Sequence, residues 1–75
     1  MTAKEMFEDL GYELKDTGYY IEYSKNNDYI QFLKNKFNKI TIHSLSGTVA
    51  LDMQEIQAIN KQIEELGWLD KKDKE

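Results

Sequence analysis

The chain has no cysteine and no arginine, and only one histidine. Without cysteine, neither a disulfide nor a thiolate–zinc site can staple the fold. With His43 alone and no thiol, one chain cannot assemble a transition-metal site. No apolar run approaches the roughly 18 residues that span a bilayer, so no membrane segment is expected. The N-terminus lacks the basic-then-apolar pattern of a secretory leader, so the expected location is the cytoplasm. The four glycines, Gly11, Gly18, Gly47 and Gly67, are isolated, which excludes a glycine-rich phosphate loop. Neither GxSxG nor HExxH occurs. The expectation from these absences is a non-enzymatic protein with no cofactor.

What is present suits a small globule. The 75 residues make one domain, and a chain of this size buries only roughly 60% of its unfolded surface. Stability must then come from packing, well-formed helix ends or self-association. Apolar residues are 40% of the total, with five Tyr, three Phe and one Trp, enough for a small core. The net charge of −4 is unevenly spread. Residues 1–24 hold two Lys against six acids, residues 25–43 four Lys against one Asp, and residues 44–75 four Lys against seven acids. An acidic protein is repelled by nucleic acid and anionic membranes unless a local patch reverses the field.

One signal is written twice. Phe7-Glu8-Asp9-Leu10-Gly11-Tyr12 and Ile63-Glu64-Glu65-Leu66-Gly67-Trp68 both read apolar, acid, acid, Leu, Gly, aromatic. With Gly at C′ and an aromatic at C″, each is a Schellman ending, clasped by Tyr12 on Phe7 and by Trp68 on Ile63. Capping boxes precede both helices: Thr2-Ala3-Lys4-Glu5 and Asp52-Met53-Gln54-Glu55. The first helix spans about Ala3 to Leu10. The second spans about Met53 to Leu66, with an apolar stripe of Ile56, Ile59, Ile63 and Leu66; Gln54, Gln57, Ala58, Lys61 and Glu65 fall on its other side. Asn60 borders the stripe and is expected to bond backbone.

Between the helices the period is two. Strands are expected at Tyr12–Leu14, Tyr19–Ser24, Tyr29–Leu33 and Phe37–His43. Turns fall at Asp16-Thr17-Gly18, Asn26-Asn27-Asp28 and Lys34-Asn35-Lys36. Residues 44–51 read as a brief edge strand or a lead into the second helix. The fold class is therefore α+β: a small antiparallel meander of about four strands packed on a C-terminal helix, with a short N-terminal helix, in the order α-β-β-β-β-α. Leu14, Ile21, Ile30, Phe32, Ile40 and Ile42 form the helix-facing side. Residues 1–69 form the domain, and the charged residues 70–75 a disordered tail.

Three groups of residues carry candidate functions. Tyr20, Tyr29, Leu33 and Phe37 are left over once the helix-facing side is assigned. They form a partner or dimer surface unless the N-terminal helix covers them through Met6, Phe7 and Leu10. Lys25, Lys34, Lys36 and Lys39 cluster around the middle hairpin, the alternative being single-stranded nucleic-acid binding by phosphate contacts and stacking. Against that stand the missing Arg, the negative total charge and the use of Lys to block edge strands. Glu8, Asp9, Glu64 and Glu65 sit in last helical turns, where the macrodipole disfavours acids. Asp16-Thr17-Gly18 matches the aspartic-protease triplet, but Lys15 stands before it and an Asp and Gly between strands serve a turn. His43 reads as a strand-end residue facing solvent.

The segments Glu5–Tyr12 and Gln57–Trp68, with a Tyr- and Lys-rich β region between them, resemble small uncharacterised proteins encoded by phages and prophages of low-GC Gram-positive bacteria. The abundance of Lys, Asn, Ile and Tyr, whose codons are AT-rich, agrees with that. The resemblance implies a phage or prophage accessory protein and carries over no catalytic residues. The expected partner is another protein or a second copy of the chain, with nucleic acid and membrane disfavoured.

Overall fold

The computed structural model describes residues 1–34 and 38–68. The expectations for Lys36, Phe37 and the tail 70–75 lie outside these residues.

The order is α1 (Ala3–Asp9), β1 (Glu13–Asp16), β2 (Tyr20–Lys25), β3 (Asp28–Leu33), β4 (Lys39–Ser44) and α2 (Met53–Glu65). The strands form one antiparallel sheet in the order β1-β2-β3-β4. Both capping boxes form: Thr2 and Glu5 close α1, and Asp52 and Glu55 close α2. The two Schellman endings form as well. Tyr12 N–H donates to the Phe7 carbonyl at 3.0 Å and Trp68 N–H to the Ile63 carbonyl at 3.1 Å. Gly11 and Gly67 adopt φ of 95° and 78°, where a side chain would be strained.

The turns follow their residue types. Asp16 Oδ1 accepts from Gly18 N–H at 3.0 Å, and Gly18 has φ 92°. This is the turn role for the Asp-Thr-Gly triplet. Asn26, at φ 55°, opens a two-residue turn that pairs Lys25 with Asp28. Residues 45–52 form no strand, so the edge-strand option for Val49 and Leu51 is set aside. Among the described residues the sheet therefore ends at β4.

Register fixes the faces. Leu14, Ile21, Tyr23, Ile30, Phe32, Ile40 and Ile42 share the inner face. Both helices pack there. Phe7 of α1 stacks on Tyr23 with centroids 3.8 Å apart and meets Phe32 edge-on at 6.4 Å. From α2, Gln62 Oε1 accepts the Tyr23 hydroxyl at 2.7 Å. This corrects one expectation: α1 does not cover the second face of the sheet. Seven helical residues cannot persist alone, and the aromatic inner face is what Phe7 can bury against.

A second correction concerns α2. Its buried residues are Glu55, Ala58, Ile59 and Gln62, while Ile56 is 44% exposed. Ala58, expected on the outer side, is fully buried, and Asn60 is exposed. The helix is rolled away from its apolar stripe because Tyr12 and Tyr23 project hydroxyls toward it. Buried hydroxyls need acceptors, and Glu55 and Gln62 supply them.

Trp68 is half-buried, 6.3 Å from the Phe32 ring. Trp68→Ala is expected to cost about 2 kcal/mol, below the range for fully buried aromatics. A urea midpoint shift measures it. An unchanged midpoint would show that Trp68 closes nothing.

Candidate interaction surface

The outer face is built by the alternate residues of each strand. One row across it reads Glu13, Ser24, Tyr29, His43, and the next Lys15, Glu22, Gln31, Thr41. The third pairs Tyr20 with Leu33 and Leu33 with Lys39. Neither helix lies on this side. Tyr20, Tyr29 and Leu33 are half-buried by their neighbours within the sheet. Tyr29 stacks on His43 at 5.2 Å, with planes 25° apart, and Gln31 donates to Glu22 Oε1 at 2.7 Å. The structure thus brings three of the four expected contact residues onto one open face, and Phe37 is not among the described residues. His43 is exposed, as its position predicted.

The lysine set is divided. Lys25 lies on the inner-face side of β2, where its Nζ donates to the Leu10 carbonyl at 3.1 Å and sits 3.7 Å from Glu55 Oε2. It also stands over the Tyr12 ring at 4.7 Å. Lys34, at the far end of β3, pairs with Asp16 at 3.1 Å. Only Lys39 of the described lysines in the set is exposed on the outer face. The expected basic cluster of Lys25, Lys34 and Lys39 is therefore not assembled. Sequence distance misled here, because residues 25 and 34 stand at opposite ends of β3, a whole strand length apart.

The acids at the helix ends find roles in tertiary structure. Glu65 Oε2 accepts from Ala3 N–H at 2.9 Å, so a carboxylate at the unfavourable end of α2 serves the favourable end of α1. Glu8 pairs with Lys4 and Glu64 with Lys61. Lys25 supplies the cation that the last turn of α1 lacks. Asp16 is held below its ordinary pKa by the Gly18 N–H and by Lys34, the environment of a structural carboxylate.

A buried polar cluster joins the layers, which sequence reasoning did not find. Tyr12 Oη donates to Glu55 Oε2 at 2.6 Å, while Glu55 Oε1 accepts from Asp52 N–H at 2.8 Å. Burial raises the Tyr12 hydroxyl well above its ordinary pKa, and the bond to Glu55 adds to this. Burial likewise pushes Tyr23 up to about 12, helped by the charges of Glu65, Glu8 and Asp16. Both hydroxyls stay protonated donors. The signal was the spacing of Glu55 and Gln62, seven residues apart and hence on one helical face.

Between α1 and α2 lies an open cleft of about 150 Å³, lined by Met1, Met6, Asp9, Leu10, Gln54 and Gln57. Asp9 is the only acid among its lining residues, and no second carboxylate and no imidazole lines it. No described helix is long and apolar enough to cross a membrane. No protein-family model, curated protein or solved structure matches this chain.

Proposed function

We propose that this chain is a non-catalytic accessory protein that acts by protein–protein interaction, with the outer face of the sheet as its contact surface. One observation carries the reading: both described helices occupy the inner face, leaving Tyr20, Tyr29 and Leu33 on a sheet surface that neither of them covers. Tyrosine suits such a role, because its ring gives contact area at low entropic cost and its hydroxyl tolerates water. The polar rows of Glu22, Gln31, Ser24 and Thr41 around it keep the face soluble when unoccupied. The resemblance of the two ends of the chain to phage and prophage proteins supports an accessory role in the host cytoplasm. Single-stranded nucleic acid is the weaker alternative, since Lys25 and Lys34 are committed elsewhere.

The test is a Tyr29→Ser/Leu33→Ser double variant. It is expected to melt within a few degrees of the parent, because neither residue enters the core. It should fail to retain host proteins that the parent captures from lysate. Equal capture by both proteins would remove the outer face as the contact surface. Anisotropy of a labelled oligonucleotide at low salt should show no salt-sensitive binding.

A further inference from the structure

We propose that the free edge of β4 and the adjoining flank of α2 form a self-association surface, occupied by a second copy of this chain. The assembly is separate from the outer-face reading and leaves that face open.

Among the described residues no strand lies beyond β4, and this edge is open in a specific way. Leu45 N–H donates to the Asn27 carbonyl at 2.8 Å, and β4 pairs with β3 without interruption. In an antiparallel pair the bonding direction alternates along the strand. Thr41 and His43 therefore bond toward β3, and the N–H and C=O groups of Ile40, Ile42 and Ser44 point off the sheet. Above this edge the inner face is incompletely covered. Ile40 and Ile42 are half-exposed, although they belong to the core-facing set.

The flank of α2 turned away from α1 is apolar. Each residue of α2 turns roughly 100° from the last. Glu65 bonds α1, and Gln54 and Gln57 line the cleft beside it, so α1 lies on their side. Ile56 and Ile63 lie on the opposite flank. Since α1 packs beside β1, at the other edge of the sheet, that flank faces β4. Ile56 is 44% exposed there.

A second copy satisfies both features at once. A twofold axis normal to the sheet at Ile42 sets Ile42 against its own copy and Ile40 against Ser44 of the second copy. All of these have outward-pointing groups, so up to about six backbone hydrogen bonds form. Thr41 then faces His43 of the second copy, and Lys39 faces Leu45. Shifting the axis to Thr41 would oppose Lys39 to His43 and reach Asn38, whose φ of 49° is not extended. Backbone geometry at Asn38 thus favours the register centred on Ile42. The chain's own residues 69–75 are a poor occupant, because six of the seven are Asp, Lys or Glu. An edge roughly 20 Å long and two layers deep presents about 400 Å² per copy, which places the pair among weak, reversible associations.

Sedimentation velocity from micromolar to millimolar chain, with amide exchange by NMR over the same range, tests the proposal. The expected result is a reversible dimer in which the Ile40, Ile42 and Ser44 amides become protected as concentration rises. Those of Thr41 and His43 are protected throughout. Ile56→Glu, at an exposed position, should weaken the dimer at least about tenfold while its circular dichroism melt stays cooperative. Tyr29→Ser should leave the dimer unchanged. A monomer at every concentration overturns the proposal. So does a dimer with unprotected Ile40, Ile42 and Ser44 amides, or one that Tyr29→Ser dissolves and Ile56→Glu spares.

Discussion

Phe7→Ala is expected to leave the chain without a stable fold at 25 °C. Phe7 is fully buried. Its ring stacks on Tyr23 at 3.8 Å and meets Tyr12 edge-on at 5.4 Å and Phe32 at 6.4 Å. Truncating such a ring costs about 3–5 kcal/mol. A domain of 75 residues has only about 4–11 kcal/mol in total. The loss also reaches beyond the cavity. Helix α1 has seven residues and no independent stability, so removing its anchor releases Ala3, Phe7 and the Schellman clasp together. Urea titration by far-ultraviolet circular dichroism should show either no folded baseline or a midpoint near zero denaturant. Phe7→Leu should recover part of the loss, because it keeps most of the volume. A variant that lost less than about 1 kcal/mol would show that α1 is an ornament on a self-sufficient sheet and α2.

The placement of Phe7 shows what the sequence could and could not convey. Capping boxes, Schellman endings and turn residues are local, and the two boxes, the two endings and the turns at Asp16-Thr17-Gly18 and Asn26-Asn27 formed where their residues stood. The period of two located all four strands. The alternation also put Leu14, Ile21, Ile30, Phe32, Ile40 and Ile42 on the helix-facing side; what it did not convey was which face α1 takes and how α2 is rolled, since these depend on contacts between distant segments. Tyr23 read as one more alternating aromatic, yet it is the centre of the inner face. Once Phe7 stacks there, α1 is committed to the side of α2, and Tyr20, Tyr29 and Leu33 are left open. The roll of α2 was hidden for a related reason. Apolar periodicity favours Ile56, but two core tyrosines require acceptors, and hydrogen-bond demand overrides a moderate apolar preference. Lys25 shows the same limit. Its charge counts toward a basic segment, while its position on the inner face joins it to α1, Tyr12 and Glu55.

Glu55→Ala is expected to destabilise by about 3 kcal/mol, through two losses at one side chain. Glu55 Oε1 completes the capping box of α2 by accepting from Asp52 N–H. Glu55 Oε2 accepts the Tyr12 hydroxyl and stands 3.7 Å from Lys25 Nζ. Removing the carboxylate leaves a buried hydroxyl and a cap amide without acceptors, and an ammonium held at a helix end by Leu10 alone. Orphaned buried donors cost more than the net value of their bonds. A double-mutant cycle separates the terms. Tyr12→Phe should cost about 1–2 kcal/mol, since Glu55 keeps Lys25 and its cap bond. Combining Tyr12→Phe with Glu55→Ala removes donor and acceptor together, so the double variant should be at least about 1 kcal/mol more stable than the two single losses predict. Strict additivity in urea midpoints would mean that Tyr12 and Glu55 do not act on each other. Glu55 would then reach the sheet through Lys25 only, beside its role in the capping box of α2.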